Sequence, residues 1–128
     1  MGVVYYANYF VWFEVGRIEL MRSLGFDYKS LEDQDQCFLP VVEANCRYRA
    51  PARYDDLLTV ETRLLNLRTS VVRFGYRLLR TGATAAAPAV LLAEGETVHV
   101  VTNAQMQKSP LPARLRSALL AAATPAAV

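Results

Sequence analysis

The chain has 128 residues, with 14 basic and 12 acidic side chains and a formal net charge of +2, which predicts one domain and no charge-driven nucleic-acid surface. Hydrophobic residues make up 53% of the chain and charged residues 20%, a balance that excludes a disordered protein. No apolar run approaches the roughly 20 residues of a membrane-spanning helix. The first residues also lack the basic start of a signal peptide, so we expect a cytoplasmic protein with no membrane partner.

A long helix is predicted over residues 9–24. Asn8 is a candidate N-cap, and Gly25 suits the position just after a helix end. Residues 9–13 are apolar on every side of the predicted helix, which is typical of a buried helix. A chain of this length can bury such a helix by wrapping a sheet around it or by docking it against a second subunit.

A polar stretch over residues 26–36, predicted as a loop either without or with one helical turn, separates this helix from a series of strands. Alternating polar and apolar residues predict four strands, over residues 37–50, 57–67, 71–80 and 90–102. On the first strand, Glu43, Asn45 and Arg47 share one face. Charges along such a face are most often solvated, and this is also the expectation for the arginines of the third strand.

Cys37 and Cys46 lie nine residues apart, so on a single strand they point to opposite faces. We therefore expect both thiols to stay reduced, as is usual in the cytoplasm. A short helix is predicted over residues 112–123, followed by a frayed tail at 124–128. Short connections make successive strands antiparallel neighbours, so residues 1–128 are expected to form a single α+β domain.

Counting residues excludes several kinds of site. One His and two Cys are too few for the usual zinc signatures, so no metal is expected. The nucleophile elbow G-x-S-x-G, the Walker lysine loop and the dinucleotide pattern G-x-G-x-x-G are absent from the sequence, and no cofactor is expected from them. His99 lies within a predicted strand, where a hydrogen-bonded structural role is the expectation.

Three blocks of sequence resemble the 4-hydroxybenzoyl-CoA thioesterase family, including its acyl-CoA thioesterase branch. They are GVVYYANYFVWFEVGR at residues 2–17, PVVEANCRYRAPARYDDLLTVET at 40–62 and LLAEGETVHVV at 91–101. The blocks follow the family's order along nearly the whole chain. The resemblance implies a hot-dog fold, in which an antiparallel sheet wraps around a long central helix. It also implies that two subunits join their sheets edge to edge, as a homodimer or a homotetramer.

The resemblance further implies hydrolysis of a coenzyme A thioester with a small aromatic or short-chain acyl group. The thioester carbonyl would lie at the amino end of the central helix, where free N–H groups stabilise negative charge on oxygen. The family position for that amide lies four residues after the motif glycine, Gly2, and corresponds to the backbone N–H of Tyr6. Tyr5 and Asn8 flank this end and are candidate contacts for the acyl group.

One element of the family pattern is missing from the sequence. The family's catalytic Asp lies three residues before the motif glycine, where this chain has only Met1 before Gly2. The first strand that carries that Asp is missing with it. Either the sequence begins inside a longer protein, or the chain has lost or relocated its base.

Two acids are candidates for that base. Glu14 is the first acid of the predicted helix and could be a buried general base, or it could form a structural ion pair with Arg17 or Arg47. Glu43 lies in the second family block and could line the acyl pocket or orient a water molecule. The alternative for Glu43 is an ordinary ion pair with Arg47 on the polar sheet face.

Arg68 occupies the hairpin where the family has a basic cluster that reaches the coenzyme A phosphates. Only one residue of that cluster is matched here. Two other functions therefore stay open. One is a module that binds coenzyme A or an acyl carrier without turnover, and the other is a thioesterase that acts on an acyl carrier protein.

Overall fold

Three helices and four strands follow one another in the computed structural model, which describes residues 6–53, 57–81 and 88–123. In chain order they are α1 (Asn8–Ser23), α2 (Tyr28–Asp35), β1 (Val41–Tyr48), β2 (Leu58–Leu67), β3 (Val71–Arg80), β4 (Val90–Val100) and α3 (Ala113–Ala123). The predicted tail at 124–128 lies outside the described residues.

The four strands form one antiparallel sheet in the order β1-β4-β3-β2. The hairpin at Arg68–Ser70 joins neighbouring strands, as predicted. The prediction that all successive strands are neighbours is wrong for β1, which pairs with β4 at the far side of the sheet from β2. The connection over residues 49–57 is long enough to cross the sheet, whereas the antiparallel-neighbour rule holds for tight turns.

One face of the sheet, here called the inner face, packs against α1. The buried side chains of α1 recur every fourth residue, at Tyr9, Phe13, Arg17 and Met21. Gly16 allows close approach to β2, because a Cβ atom there would lie 2.7 Å from Cγ1 of Val60. The opposite side of α1 is open: Val11 is 53% and Val15 50% exposed. Burial of α1 within this subunit is therefore one-sided. The sheet alone does not bury the helix completely, and docking against a second subunit stays a prediction.

Several predicted boundaries need correction. Residues 28–35 form α2 rather than a loop, since the Asp27 carboxylate caps it by accepting the Ser30 N–H at 2.8 Å. Helix α1 begins at Asn8, and Ala7 occupies the N-cap position without a side-chain hydrogen bond. Gly25 follows the helix with a positive φ of 88°, as expected of glycine at that position.

The first strand is shorter than predicted because Pro40 precedes its start at Val41, and proline cannot donate to a strand ladder. Cys37 therefore lies outside β1 and is buried, while Cys46 is half-buried on the inner face. Both thiols are free, as predicted, but their separation does not come from opposite faces of one strand.

Two core clusters define the two ends of α1. Tyr9 packs at the amino end with Leu78 and Leu92, whereas Met21 packs at the carboxyl end with side chains of α3 such as Leu115. The amino end of α1 consequently lies near the turn after β1, away from α3. Among the described residues, no helix is long and apolar enough to cross a membrane.

Candidate functional site

The amino end of α1 is anchored to the end of β1 by backbone and tyrosine contacts. The Tyr48 hydroxyl donates to the Tyr6 carbonyl oxygen at 3.1 Å, and the Tyr9 N–H donates to the same oxygen at 3.2 Å. Tyr9 itself is 2% exposed, and its hydroxyl accepts the Ala52 N–H at 3.0 Å. These contacts fix the direction in which the first amides of α1 point.

The anchored end remains open to solvent. Tyr6 is 60% exposed, Asn8 is exposed, and no acidic side chain lies in the first turn. The N–H groups of Ala7 and Asn8 make no hydrogen bond to any of the described residues. The amino end of a helix combines such donors with a partial positive charge, so it can stabilise an oxygen that becomes negative.

The sequence-predicted site residues are only partly brought together. Tyr6 and Asn8 both lie at the amino end of α1, two residues apart in the chain. Gly2 and Tyr5 lie outside the described residues.

Glu14 lies on the open side of α1. It is exposed and shares that side with Val11, Val15 and Ile18, which follow helical spacing. Glu14 is therefore not buried in this subunit. Among the described residues it also makes no ion pair, because the Arg17 guanidinium turns inward to tyrosine hydroxyls. Both of the structural expectations for Glu14, burial and an ion pair with an arginine, thus need correction for this subunit.

Glu43 points to the outer face of the sheet, opposite to α1. It lies beside Val98 of β4, on the same face as Arg47, and is exposed. Within the described part of the chain it forms no ion pair, so the expected pairing with Arg47 is absent. Tyr48, which contacts Tyr6, is five residues along β1 from Glu43, a separation of roughly 16 Å.

Arg68 lies in the β2–β3 hairpin with an exposed side chain. Its N–H donates to the Val71 carbonyl at 2.8 Å, and its carbonyl accepts from Nη1 of Arg116 on α3 at 2.9 Å. This hairpin is at the carboxyl end of α1, about 24 Å from the amino end by the helical rise. Within one subunit, Arg68 and Tyr6 therefore occupy opposite ends of the sheet.

A buried polar chain under α1 was not anticipated as a unit. Arg17, 8% exposed, donates from Nη1 to the Tyr76 hydroxyl at 3.1 Å, and from Nε to the Tyr28 hydroxyl at 3.1 Å. The Tyr76 hydroxyl lies 2.6 Å from Oγ1 of Thr97, which lies 2.8 Å from Nε2 of His99. The spacing of Arg17 four residues after Phe13 was the signal that could have placed it on the buried side of α1.

The donor and acceptor of each hydrogen bond in this polar chain can be assigned from the chemistry of its groups. The Leu39 carbonyl, 2.9 Å from Nδ1 of His99, can only accept, so Nδ1 carries the proton. Burial lowers the pKa of His99 to about 4, partly opposed by the Leu39 carbonyl and reinforced by the charge of Arg17. The imidazole is therefore neutral and its Nε2 accepts from Thr97, which in turn accepts from Tyr76. The structural role expected of His99 is confirmed.

A cleft of about 390 Å³ opens above Arg17, and we call it the Arg17 cleft. Its polar lining consists of Glu14, Arg17, Tyr28 and Glu32, and the remaining walls are apolar. Those walls come from Ile18, Phe38, Leu39, Pro40 and Met106. The cleft lies along the middle of α1, about 13 Å from Asn8 by the helical rise.

The chain resembles known proteins over most of its length. A sequence profile described as the thioesterase superfamily matches residues 1–87. The acyl-CoA thioester hydrolase YbgC of Escherichia coli is 32% identical over 112 residues, which cover 87% of this chain and 78% of YbgC. Matches to two further curated relatives cover 56% and 58% of their lengths, so the chain spans less than two thirds of those proteins.

Solved structures agree with the fold. TT1821 from Thermus thermophilus is 34% identical, with a TM-score of 0.84 over 95% of this chain and 88% of that chain. The BH1999 gentisyl-coenzyme A thioesterase is 26% identical, with a TM-score of 0.78 over 93% of this chain and 88% of that chain. The α+β hot-dog fold expected from the sequence is therefore confirmed.

Proposed function

Because the chain belongs to the thioesterase superfamily, we propose that it hydrolyses acyl-CoA thioesters that carry a small aromatic or short-chain acyl group. The observation that carries the proposal is the solvent-open amino end of α1, where no acid lies in the first turn and the N–H groups of Ala7 and Asn8 make no hydrogen bond to the described residues. The similarity to a gentisyl-coenzyme A thioesterase supports an aromatic acyl group.

In the proposed reaction, the backbone N–H of Tyr6 donates to the thioester carbonyl oxygen. A carboxylate takes a proton from water as the water oxygen attacks the carbonyl carbon. The C–S bond then breaks, releasing the free acid and the coenzyme A thiol, which receives the proton. The hydrogen bond to the oxygen strengthens as negative charge develops there, which is why it accelerates the step. Tyr5, Asn8 and Gly2 are proposed to surround the acyl group at this end.

The proposed site is completed by a second copy of the chain. Strand β1 is an edge of the sheet, and unpaired strand edges favour pairing with another strand. Val41 and Val42 on this edge are 48% and 59% exposed, and Val11 and Val15 on α1 are similarly open. A homodimer through these surfaces, or a homotetramer built from it, would cover them. We expect Val42→Lys to lower the mass measured by sedimentation, whereas Leu120→Lys on α3 leaves it unchanged.

Such a dimer offers a place for the base. If antiparallel α1 helices meet on a two-fold axis near Val11, Glu14 of one subunit lies opposite residue 8 of the other. Glu43 is the second candidate, because pairing of β1 edges would bring it toward the partner subunit. The base is the one whose change to Gln lowers kcat by about 10²–10⁴-fold at unchanged KM. If neither change lowers kcat, both assignments are wrong.

The proposed role of the Tyr6 amide as an oxyanion donor can be tested by removing its N–H group. Tyr6→Pro deletes the backbone N–H, and proline is tolerated just before a helix, while the control Tyr6→Ala removes the side chain and keeps the N–H. We expect Tyr6→Pro to lower kcat by about 10²–10³-fold relative to Tyr6→Ala. Equal activity of the two variants would refute the proposed oxyanion contact.

Arg68 is proposed to contact a phosphate of coenzyme A that lies along the subunit or enters from its partner. Assays with matched acyl-CoA and acyl-carrier-protein thioesters separate the alternatives. Turnover of the carrier ester alone favours an acyl carrier as the substrate. Binding of coenzyme A with no turnover of either ester indicates a non-catalytic module, and it would contradict the proposed hydrolysis.

A further inference from the structure

Arg17 is a buried cation without an anionic partner in the described part of the chain. It is 8% exposed, and its two hydrogen bonds go to the hydroxyls of Tyr28 and Tyr76. Burial opposes the charge, but the two tyrosines outweigh it and raise the pKa of Arg17, so the guanidinium stays charged. A buried charge normally has a charged partner, because desolvation is costly.

The guanidinium still has donors to offer. Nε and one proton of Nη1 are used by the tyrosines, and arginine carries five N–H donors. Nη2 has no acceptor among the described residues, and Arg17 forms part of the lining of the Arg17 cleft. The tyrosines hold the planar group in a fixed orientation, which favours two parallel hydrogen bonds to a carboxylate.

The rest of the cleft limits the charge and shape of a ligand. Glu14 and Glu32 line it and are exposed, so they add screened negative charge at its rim. The two rim acids repel a dianion such as phosphate more strongly than a monoanion. The single negative charge of a carboxylate is balanced by the single positive charge of Arg17. The apolar walls of Phe38, Leu39 and Pro40 suit a hydrocarbon group. The cleft volume of about 390 Å³ is large enough for a small hydrocarbon group.

We propose that the Arg17 cleft is a second binding site, which takes an apolar monocarboxylate with its carboxylate on Arg17 and its hydrocarbon against the apolar walls. Within one subunit the cleft lies about 13 Å from the amino end of α1, where the thioester would react. Glu14 at the rim of the cleft is also a candidate base for the reacting end of the other subunit. Free acids of this class are also what thioester hydrolysis releases. Only that link to the product rests on the proposed function.

Binding is tested without any thioester, so its failure is distinguishable from failure of the hydrolase proposal. Benzoate and pentanoate are titrated into the full chain by calorimetry, with benzamide as the neutral isostere of benzoate. We expect benzoate to bind at least about tenfold more tightly than benzamide, the ratio given by one charge-assisted contact of about 1.4 kcal/mol. Equal affinities for the two would overturn the proposal.

Variants place the site. Glu32→Gln removes rim repulsion and is expected to tighten benzoate binding about twofold to fivefold, whereas Glu61→Gln on the outer sheet face leaves it unchanged. Arg17→Lys keeps the charge but loses the planar pair of donors, and benzoate binding should weaken about tenfold while benzamide binding does not change. If Arg17→Lys does not fold, Glu32→Gln decides alone. An unchanged affinity in Glu32→Gln would refute the location.

A final arm tests the link to the product. Benzoate is added to hydrolysis of a short-chain acyl-CoA by the unmodified chain and by Glu32→Gln. Inhibition that strengthens in Glu32→Gln indicates that the acid acts through the Arg17 cleft. Inhibition that is identical in both proteins indicates that the acid competes only at the reacting end, which contradicts the proposed link between this cleft and the reaction product.

Discussion

The two faces of the sheet hold polar groups in opposite ways. On the inner face, Tyr76, Thr97 and His99 form a buried chain in which each donor has one acceptor. On the outer face, charged side chains form exposed ion pairs, such as Arg77 with Glu61 at 3.1 Å. Groups on the inner face have lost water and depend on their partners, whereas water and salt can replace the partners on the outer face. Similar hydrogen-bond distances therefore correspond to very different contributions to stability.

The largest expected effect is a loss of stability in acid that depends on His99. Its pKa is about 4 in the folded protein because of burial, against about 6.5 in the unfolded chain. Between these values the unfolded chain binds more protons. The free energy of unfolding therefore decreases as the pH falls from about 6.5 to about 4, by on the order of 3 kcal/mol, and His99 adds no further change below that.

The variant His99→Gln isolates this contribution, because it keeps polar atoms at the site but does not titrate. Urea unfolding of both proteins at several pH values gives the difference in their free energies of unfolding. We expect that difference to shrink by on the order of 3 kcal/mol between pH 7 and pH 4. A difference that stays constant with pH would mean that folded His99 titrates normally.

The next effect comes from two glycines on neighbouring strands. At Gly95 a Cβ atom would run into the carbonyl oxygen of Asn45 and lie 2.8 Å from the Phe13 ring, whereas at Gly75 it meets only the side chain of Leu65. Backbone and a buried ring cannot move aside, but Leu65 is 38% exposed and can rotate. We expect Gly95→Ala to cost about 2–3 kcal/mol and Gly75→Ala about 1 kcal/mol or less by urea unfolding. If both substitutions lowered the free energy of unfolding equally, the inner face would be no more tightly packed than the outer face.

A smaller loss is expected from breaking the inner chain in its middle. Thr97→Val keeps the shape of the side chain but removes the donor to Nε2 of His99 and the acceptor of the Tyr76 O–H, which keeps only its contact from Arg17. The expected cost is about 1–2 kcal/mol in the free energy of unfolding. Thr59→Val, at an exposed hydroxyl contact with Thr81, is the matched control and should change stability by about 0.5 kcal/mol or less. If Thr97→Val were as stable as this control, the buried hydrogen bonds of Thr97 would make no measurable contribution to the free energy of unfolding.

Much of the fold follows from local patterns in the sequence. Alternation of Val72, Phe74, Tyr76 and Leu78 with more polar or smaller residues predicts β3 at residues 71–80 as observed, although the alternation is incomplete at both ends. The pairing of β1 with β4 could not be predicted in this way, since strand order depends on contacts far apart in the chain. For α2 the sequence predicted one helical turn at most, because its polar composition hides the Asp27 cap that starts two turns of helix.

The candidate site was less predictable than the fold. Tyr6 and Asn8 come together because both precede or begin the same helix, which is local information. The distances from Glu43 and Arg68 to that helix end depend on the face and the end of the sheet that each occupies. Arg17 was considered only as a partner for Glu14, because a charged residue is normally placed outside a core. Arg17 is buried because it follows the same four-residue spacing as Tyr9, Phe13 and Met21 on α1.

The smallest expected effect completes the comparison of the faces. Arg77 and Glu61 lie opposite each other on β3 and β2, with side chains 48% and 53% exposed. A double-mutant cycle with Arg77→Met and Glu61→Gln should give a coupling of about 0.2–1 kcal/mol, and less in 1 M salt. A coupling as large as the cost of Thr97→Val would mean that another molecule shields this face from water. The outer face would then be a contact between subunits, and burial within one chain would explain the strength of polar interactions on the inner face only.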